Sequence, residues 1–349
     1  MSSRRNPVRS KKKRRARAAK RILAVAICAV FVGLVGTLGW FVVRGITQAV
    51  ATGDKPVSGS SSALSEPTEP PTEPAPTFPT IAVDAPTTSP RLLLFDLTHD
   101  TLLYEKDADV KFYPASLTKI LTAIIATEQC TPDEVFTVGS ELGLVQPLSS
   151  LAYLKEGYQL KRDVILDALL LPSGNDAAYT IAVHVGRKVG GETLSDLEAA
   201  RGFCDLMNQK ARELGAVNSH FSNPDGFFSG DHYTTANDML LIAKAALEYE
   251  NLRTIFAKTT ATDTLESGAQ VTWNNSNALL NPNSPYYFEG ATGMKTGFTD
   301  EAGQCVIASA NRAGKQMIAI VMGGLSGESR WADALALLNA GYAAEMTHQ

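Results

Sequence analysis

Residues 22–43 contain no charged side chain and are rich in Val, Ala, Leu and Ile. About 20 apolar residues are enough to cross a bilayer as a helix, and the stretch meets that length. Trp40 stands near its far end, where an interfacial ring is expected. Eleven of the 32 Lys and Arg residues fall within residues 1–21, with no acid among them, including the run Lys11-Lys12-Lys13-Arg14-Arg15; Arg44 follows alone. By the positive-inside rule, residues 1–21 form a basic cytoplasmic tail, 22–43 a single transmembrane helix, and everything beyond lies outside the cytoplasm. That remainder carries 21 cations against 36 acids, a net charge of −15, which the overall −4 conceals. A basic run can also be a nucleic-acid-binding arm, but such arms do not usually abut a charge-free segment of membrane length, so no nucleic-acid partner is expected. A cleavable signal peptide is the competing reading, since Ala49-Val50-Ala51 has the small-x-small form. The apolar core exceeds the ~7–15 residues of signal peptides, which favours a retained anchor.

Residues 44–89 are rich in Pro, Ser, Thr and Glu, as in Glu66-Pro67-Thr68-Glu69-Pro70-Pro71-Thr72-Glu73-Pro74. So few apolar groups do not offset the entropy of ordering, and the segment reads as a disordered, partly extended linker. Residues 90–349 then make one sizeable domain. Cys28 falls in the membrane segment, leaving Cys130, Cys204 and Cys305 outside. Three cysteines cannot all pair within a chain, and no Cys-x-x-Cys or His cluster suggests a metal site. Buried, inert thiols and no metal or other cofactor are expected.

Within residues 90–349, the apolar runs 92–95 and 102–104 flank the polar turn Thr98-His99-Asp100, and 305–310 and 316–322 flank Asn311-Arg312-Ala313-Gly314, giving two hairpins. Between them the pattern is helical over 117–128, 162–171, 175–185, 197–214 and 237–247, and residues 331–344 form a closing helix. Strands at both ends with helices between them, and no βαβ alternation, predict an α+β fold. An antiparallel sheet is built from the N- and C-terminal strands, a helical region is inserted between them, and a cleft lies at the junction.

Three elements carry chemistry. In Pro114-Ala115-Ser116-Leu117-Thr118-Lys119, a helix starting at Ser116 puts Ser116 and Lys119 one turn apart on one face, where a lysine of lowered pKa can activate the hydroxyl. In Pro172-Ser173-Gly174-Asn175 one helix ends and another begins, and the turn can aim a hydroxyl (Ser173) and an amide (Asn175) into a cleft. In Lys295-Thr296-Gly297-Phe298, Gly297 lets a substrate backbone approach the strand edge while Lys295 and Thr296 offer a cation and a hydroxyl to a carboxylate. Each alone has a bland reading: a capped helix, an N-cap, a strand with a surface lysine. Their co-occurrence, in the order Ser-x-x-Lys, Ser-x-Asn, Lys-Thr-Gly in one exported chain, does not.

These elements resemble those of the penicillin-binding proteins and serine β-lactamases. Finer features are similar to the low-molecular-mass D-alanyl-D-alanine carboxypeptidases: His220-Phe221-Ser222-Asn223-Pro224-Asp225-Gly226, His232-Tyr233-Thr234-Thr235-Ala236-Asn237-Asp238, Asn275-Ser276-Asn277, and Phe298-Thr299 with Glu301-Ala302-Gly303. The resemblance covers roughly residues 89–344 and implies a β-lactamase/transpeptidase-like fold. It also implies removal of the terminal D-alanine from peptidoglycan stem peptides ending in D-Ala-D-Ala, with β-lactams as covalent inhibitors, at a bacterial cell membrane. Ser116 would be the nucleophile, Lys119 its base and Ser173 the proton donor to the leaving amine. The N–H groups of Ser116 and Phe298 would hold the oxyanion. Asn175 would bind substrate, and Lys295, Thr296 and Arg330 would face the terminal carboxylate. Many members carry a further C-terminal β-rich domain and a terminal amphipathic helix, whereas here the anchor is expected at the N-terminus. A β-lactamase shares the three motifs, but no Glu-containing loop resembles its deacylating element; fast hydrolysis of a chromogenic cephalosporin would favour it. A β-lactam-acylated membrane sensor would need a cytoplasmic signalling region longer than residues 1–21.

Overall fold

The computed structural model describes residues 78–346. The expected first hairpin is β1 (Arg91–Asp96) and β2 (Thr101–Lys106). Its turn is set by Asp96, whose Oδ1 accepts from the N–H groups of Thr98 and His99, an Asx turn. A 3-10 turn (Ala115–Thr118) then leads into α1 (Lys119–Gln129). The short ribbon β3 (Val135–Thr137) and β4 (Gln159–Lys161) precedes α2 (Arg162–Leu170), and a bend at residues 171–174 starts α3 (Asn175–Gly190). Next comes α4 (Asp196–Glu213), opened by a capping box in which Ser195 and Glu198 satisfy each other's backbone N–H. It is followed by α5 (Ala236–Glu248), capped by Thr235, and α6 (Glu250–Ala257). A second ribbon, β5 (Thr260–Thr264) with β6 (Gln270–Asn274), precedes β7 (Ala291–Thr299), β8 (Gly303–Arg312), β9 (Lys315–Gly324) and the closing α7 (Gly327–Met346).

The main sheet has the order β2-β1-β9-β8-β7 and is antiparallel throughout, so strands from the two ends of the chain meet at β1 and β9. Successive side chains of a strand face opposite ways, so a strand buried along its whole length must be covered on both sides. Leu93, Phe95, Ile307, Ile318 and Ile320 pack against the helical region, whereas Leu92, Leu94, Val306, Ala319 and Val321 pack under α7 with Trp331, Leu337 and Leu338. The mixed helix and sheet architecture expected from the sequence is therefore present, and β7 forms the sheet edge facing the inserted helices.

Several short elements escaped the sequence reading. β3 and β4 are three residues each, too short to show a period of two. β5 reads Thr-Ala-Thr-Asp-Thr, with one buried residue and no apolar alternation. α6 follows α5 with only Tyr249 between them and carries no separate stop signal. The helix expected to start at Ser116 starts at Lys119, the preceding turn being 3-10.

Before β1, Ile81 and Val83 donate to the carbonyls of Leu102 and Leu103, and Leu102 donates to Pro79, so residues 79–83 run along β2. The N–H groups of Thr88 and Ser89 are held by the Asp333 carboxylate of α7. The tail at 1–21, the transmembrane helix at 22–43 and the linker as far as residue 77 lie outside the described residues. Among the described residues no helix is long and apolar enough to cross a membrane.

Candidate active site

The 3-10 turn, the 171–174 bend, β7 and the 222–232 segment converge on a cleft of about 570 Å³, lined by Ser116, Ser173, Asn175, Thr296, Phe298 and Arg330, among others. Lys119 lies beneath it, fully buried at the start of α1. Its Nζ donates to Ser116 Oγ (2.8 Å), Asn175 Oδ1 (2.8 Å) and the Asp225 carbonyl (2.6 Å). Burial pulls the Lys119 pKa down to about 8, against the opposing pull of the Asp225 and Asp176 carboxylates. A lysine in that range is neutral in an appreciable fraction of molecules near neutral pH, and its lone pair can then face the Ser116 hydroxyl.

The turn bearing Ser116 is held in an unusual shape. Ala115 has φ of +49°, a conformation few non-glycine residues adopt. Thr118 Oγ1 donates to the Ala115 carbonyl at 2.8 Å, and His232 Nε2 lies 2.8 Å from the same hydroxyl. Gly226 presses on the turn from the other side: at its φ of +83°, a Cβ would stand 1.8 Å from the Ala115 oxygen. Gly297 brings β7 alongside, where a Cβ would stand 3.2 Å from both the Pro114 oxygen and the Ser116 nitrogen. At 3.2 Å such a Cβ would push the neighbouring backbone back by a few tenths of an ångström, so glycine lets β7 run close beside the Ser116 turn.

At the bend, Ser173 has φ of +65° and a buried Oγ with no hydrogen-bond partner. The Asp176 carboxylate accepts from the N–H groups of Ala152 and Leu154, and Trp273 Nε1 donates to the Ala152 carbonyl, so the cleft wall at 145–154 is fastened to the bend and to β6. On β7, Thr296 Oγ1 pairs with Ser276 Oγ at 2.6 Å. Phe298 is 55% exposed at the rim. Arg330, at the start of α7, donates from Nη1 to the Gly297 and Cys305 carbonyls, stacks 4.4 Å over the Trp331 ring, and keeps a buried Nε without a partner.

Lys295 does not line the cleft. It is buried on β7, opposite Ile307 of β8 and so on the face toward the helical region, its Nζ donating to the Thr296 carbonyl at 3.0 Å. Burial, with the positive charges of Lys119 and Arg330 nearby, holds its pKa well below the usual lysine range, and burial brings Arg330 down to about 10. Lys119, Lys295 and Arg330 form a desolvated group of cations beside the cleft, an environment that an anionic ligand relieves.

Seven of the nine sequence-predicted residues line the cleft, and Lys119 and Lys295 are buried close to one another at its side. Sequence reasoning left Thr118, Asp225, His232 and Ser276 without roles, although each sits inside a quoted motif. The pairings His232 with Thr118, Asp225 with Lys119 and Ser276 with Thr296 span 20 or more residues of sequence, so only the fold reveals them. Cys130, Cys204 and Cys305 are buried free thiols, and burial pushes them up to about 12, 12 and 11. Cys130, Glu134 and His184 bring potential ligand atoms within 4.8 Å of one another. The Glu134 carboxylate there is already taken up by Lys188, His184 and the Thr131 N–H, an ion-pair network that accounts for the cluster.

The family described as D-alanyl-D-alanine carboxypeptidase, peptidase S11, matches residues 80–326. The chain is 33% identical over 252 residues to a D-alanyl-D-alanine carboxypeptidase of Streptomyces sp. strain K15, covering 70% of this chain and 83% of that protein. It is 31% identical to DacB2 of Mycobacterium tuberculosis, covering 72% and 81%. With DacF of Bacillus subtilis it shares 30% identity, spanning 71% of this chain but only 60% of that relative's length. The crystal structure of the Streptomyces K15 DD-transpeptidase superposes with a TM-score of 0.68 at 31% identity, covering 75% of this chain and 100% of that one. DacD of Francisella tularensis gives 0.61 at 27%, covering 76% and 73%.

Proposed function

Since the chain belongs to the D-alanyl-D-alanine carboxypeptidase family and is a serine-type hydrolase, we propose that Ser116 is the residue through which it removes the C-terminal D-alanine from peptidoglycan stem peptides. The observation that carries this is the 2.8 Å hydrogen bond between Lys119 Nζ and Ser116 Oγ, with the lysine at a pKa of about 8. Neutral Lys119 takes the hydroxyl proton as Ser116 Oγ attacks the carbonyl between the two D-alanines. The N–H groups of Ser116 and Phe298 receive the negative charge that develops on the carbonyl oxygen, a role supported by the close run of β7 at Gly297 past the Ser116 turn. Ser173, whose hydroxyl has no competing partner, passes a proton to the departing D-alanine amine. The acyl-enzyme ester is then cleaved by water, restoring the Ser116 hydroxyl. Asn175 aligns the peptide while its Oδ1 holds Lys119.

The substrate's terminal carboxylate lies toward Thr296 and Arg330. Lys295 acts on it through the Thr296 carbonyl it holds. β-Lactams acylate the same serine, because they present a strained amide to the same groups. The test is an intact-mass measurement after incubation with benzylpenicillin and, separately, with a peptide ending in D-Ala-D-Ala. Ser116→Ala should carry no adduct and release no D-alanine; an adduct on another residue of that variant refutes the assignment.

The placement of the domain belongs to the same reading. Residues 22–43 anchor the chain as a single pass, the linker up to residue 77 lifts the domain off the outer face, and the N-terminus stays in the cytoplasm. The support is the charge asymmetry about residues 22–43. A reporter active only outside the cytoplasm should work when fused after Gln349, with the mature chain keeping its N-terminus. Recovery of a soluble product beginning near Thr52 would establish a cleaved signal instead.

A further inference from the structure

The 220–235 segment is tied to the nucleophile turn by one side chain that the mechanism above does not use. His232 is 2% exposed, packed edge to face against Phe221, with ring centroids 5.5 Å apart. Its two ring nitrogens have different partners. Nδ1 lies 3.1 Å from the backbone nitrogen of Ser222 and can only be the acceptor of that N–H. Nε2 therefore carries the proton of the neutral ring and donates to Thr118 Oγ1 at 2.8 Å. With one lone pair so engaged, Thr118 donates its own proton to the Ala115 carbonyl at 2.8 Å. The chain of donors runs in one direction, from Ser222 N–H through the imidazole and the Thr118 hydroxyl to the carbonyl of the one residue in the turn with positive φ, directly before Ser116. No member can be reversed without leaving a buried group unpaired.

We propose that His232 is a positioning residue for the acylation step, which acts through Thr118 to hold Ala115 in its left-handed conformation and so keeps Ser116 Oγ on Lys119 and the Ser116 backbone close to β7 at Gly297. The inference rests on Ser116 being the nucleophile. It adds that a neutral imidazole of fixed tautomer, remote from the substrate, sets the geometry of that nucleophile. Burial brings the His232 pKa down to about 3, against the pull of Asp231, so the ring stays neutral over the range in which the enzyme works. Thr118, the residue before the catalytic lysine, then has a reason to be threonine: alanine or leucine would break the relay at its middle.

Two substitutions at His232 separate the ring's two attachments. Asn places an amide where Nδ1 stands and can keep the Ser222 contact, but it does not reach Thr118; Gln reaches the Nε2 position and can keep the Thr118 contact. Thr118→Val removes the hydroxyl at constant shape. The second-order rate of acylation by a fluorescent penicillin, with kcat and KM for D-alanine release from a D-Ala-D-Ala peptide, should separate the variants. His232→Asn and Thr118→Val should each acylate at least ~10-fold more slowly, with kcat reduced and KM little changed. His232→Gln should stay within ~3-fold of the parent, and the double variant His232→Asn/Thr118→Val should be no slower than either single one, because both remove the same link. A role confined to stability would lower Tm yet leave folded protein reacting at the parent rate. Parent-like acylation by folded Thr118→Val overturns the proposal even where His232→Asn fails to fold, as does a His232→Gln variant as slow as His232→Asn. Loss of the reading on which this rests would look different: labelling would persist in Ser116→Ala.

Discussion

Replacing Asp225 by Asn should shift the pH at which the enzyme becomes competent for acylation. Lys119 is fully buried, and burial is what carries it from the ordinary lysine value to about 8; the Asp225 carboxylate is the largest force in the other direction. With a pKa of 8, about one-tenth of the molecules hold a neutral Lys119 at pH 7 and about half at pH 8, so the acylation rate should climb about tenfold between pH 7 and its plateau. The Asp225 Oδ1 accepts from the Phe227 N–H at 3.0 Å, a bond that an asparagine oxygen keeps, and the Asp225 carbonyl that holds Lys119 is backbone and untouched. Asn therefore removes charge with little change of shape. An opposite charge near a buried lysine is worth about 1–3 pKa units, so the midpoint should fall by at least about one unit, from ~8 to ~7. Acylation at pH 7 then rises about fivefold, while the high-pH plateau falls because a weaker base drives the proton transfer less. The assay is the rate of acylation by a fluorescent penicillin from about pH 5.5 to 10, where folded protein is verified at each point. Burial also pushes the Asp225 carboxyl up, with Lys119 pulling it back. An unmoved midpoint would mean that Asp225 carries no charge beside Lys119, and an upward shift would refute the electrostatic account altogether.

Arg330→Ala should lower kcat/KM about 10- to 100-fold for a peptide with a free D-Ala-D-Ala terminus and change little for the C-terminally amidated peptide, which lacks the carboxylate the guanidinium would meet; equal losses on both would make Arg330 structural. Gly226→Ala should abolish penicillin labelling and lower Tm, since its Cβ would fall 1.8 Å from the Ala115 oxygen at a φ of +83°; a folded, labelled variant would show that the turn can move. Asp167, buried where α2 nears its end, has its carboxyl pushed up to about 6 by burial, against the pull of its ion pair with Lys258 at 2.5 Å. A folded pKa above the unfolded value makes the native state the tighter proton binder, so its contribution is full below about pH 4 and is lost as pH rises through 6, worth about 3 kcal/mol in all. Asp167→Asn should flatten that slope in Tm between about pH 4 and 7, and an unchanged slope would assign it to other groups.

The linear order Ser-x-x-Lys, Ser-x-Asn, Lys-Thr-Gly was enough to assign the chemistry, because three short motifs each constrain backbone as well as side chain. The alternating and continuous apolar runs at 92–95, 305–310 and 316–322 were enough to assign the hairpins, because a strand covered on both faces writes its burial into consecutive residues. Five of the six inserted helices were legible for the corresponding reason at a period of 3.6. What the sequence did not contain was which buried polar groups find one another. His232 and Thr118 are 114 positions apart, Lys119 and Asp225 106, and Ser276 and Thr296 20. Nor could spacing tell that Lys295 is fully buried near Lys119, or that Ser116 belongs to a 3-10 turn with a left-handed residue before it. Periodicity records which face of an element is apolar; hydrogen-bond partners and the pKa values they set depend on how elements cross. The side chains were present in the sequence, and only the packing of the helical insert against β7 decided what they do.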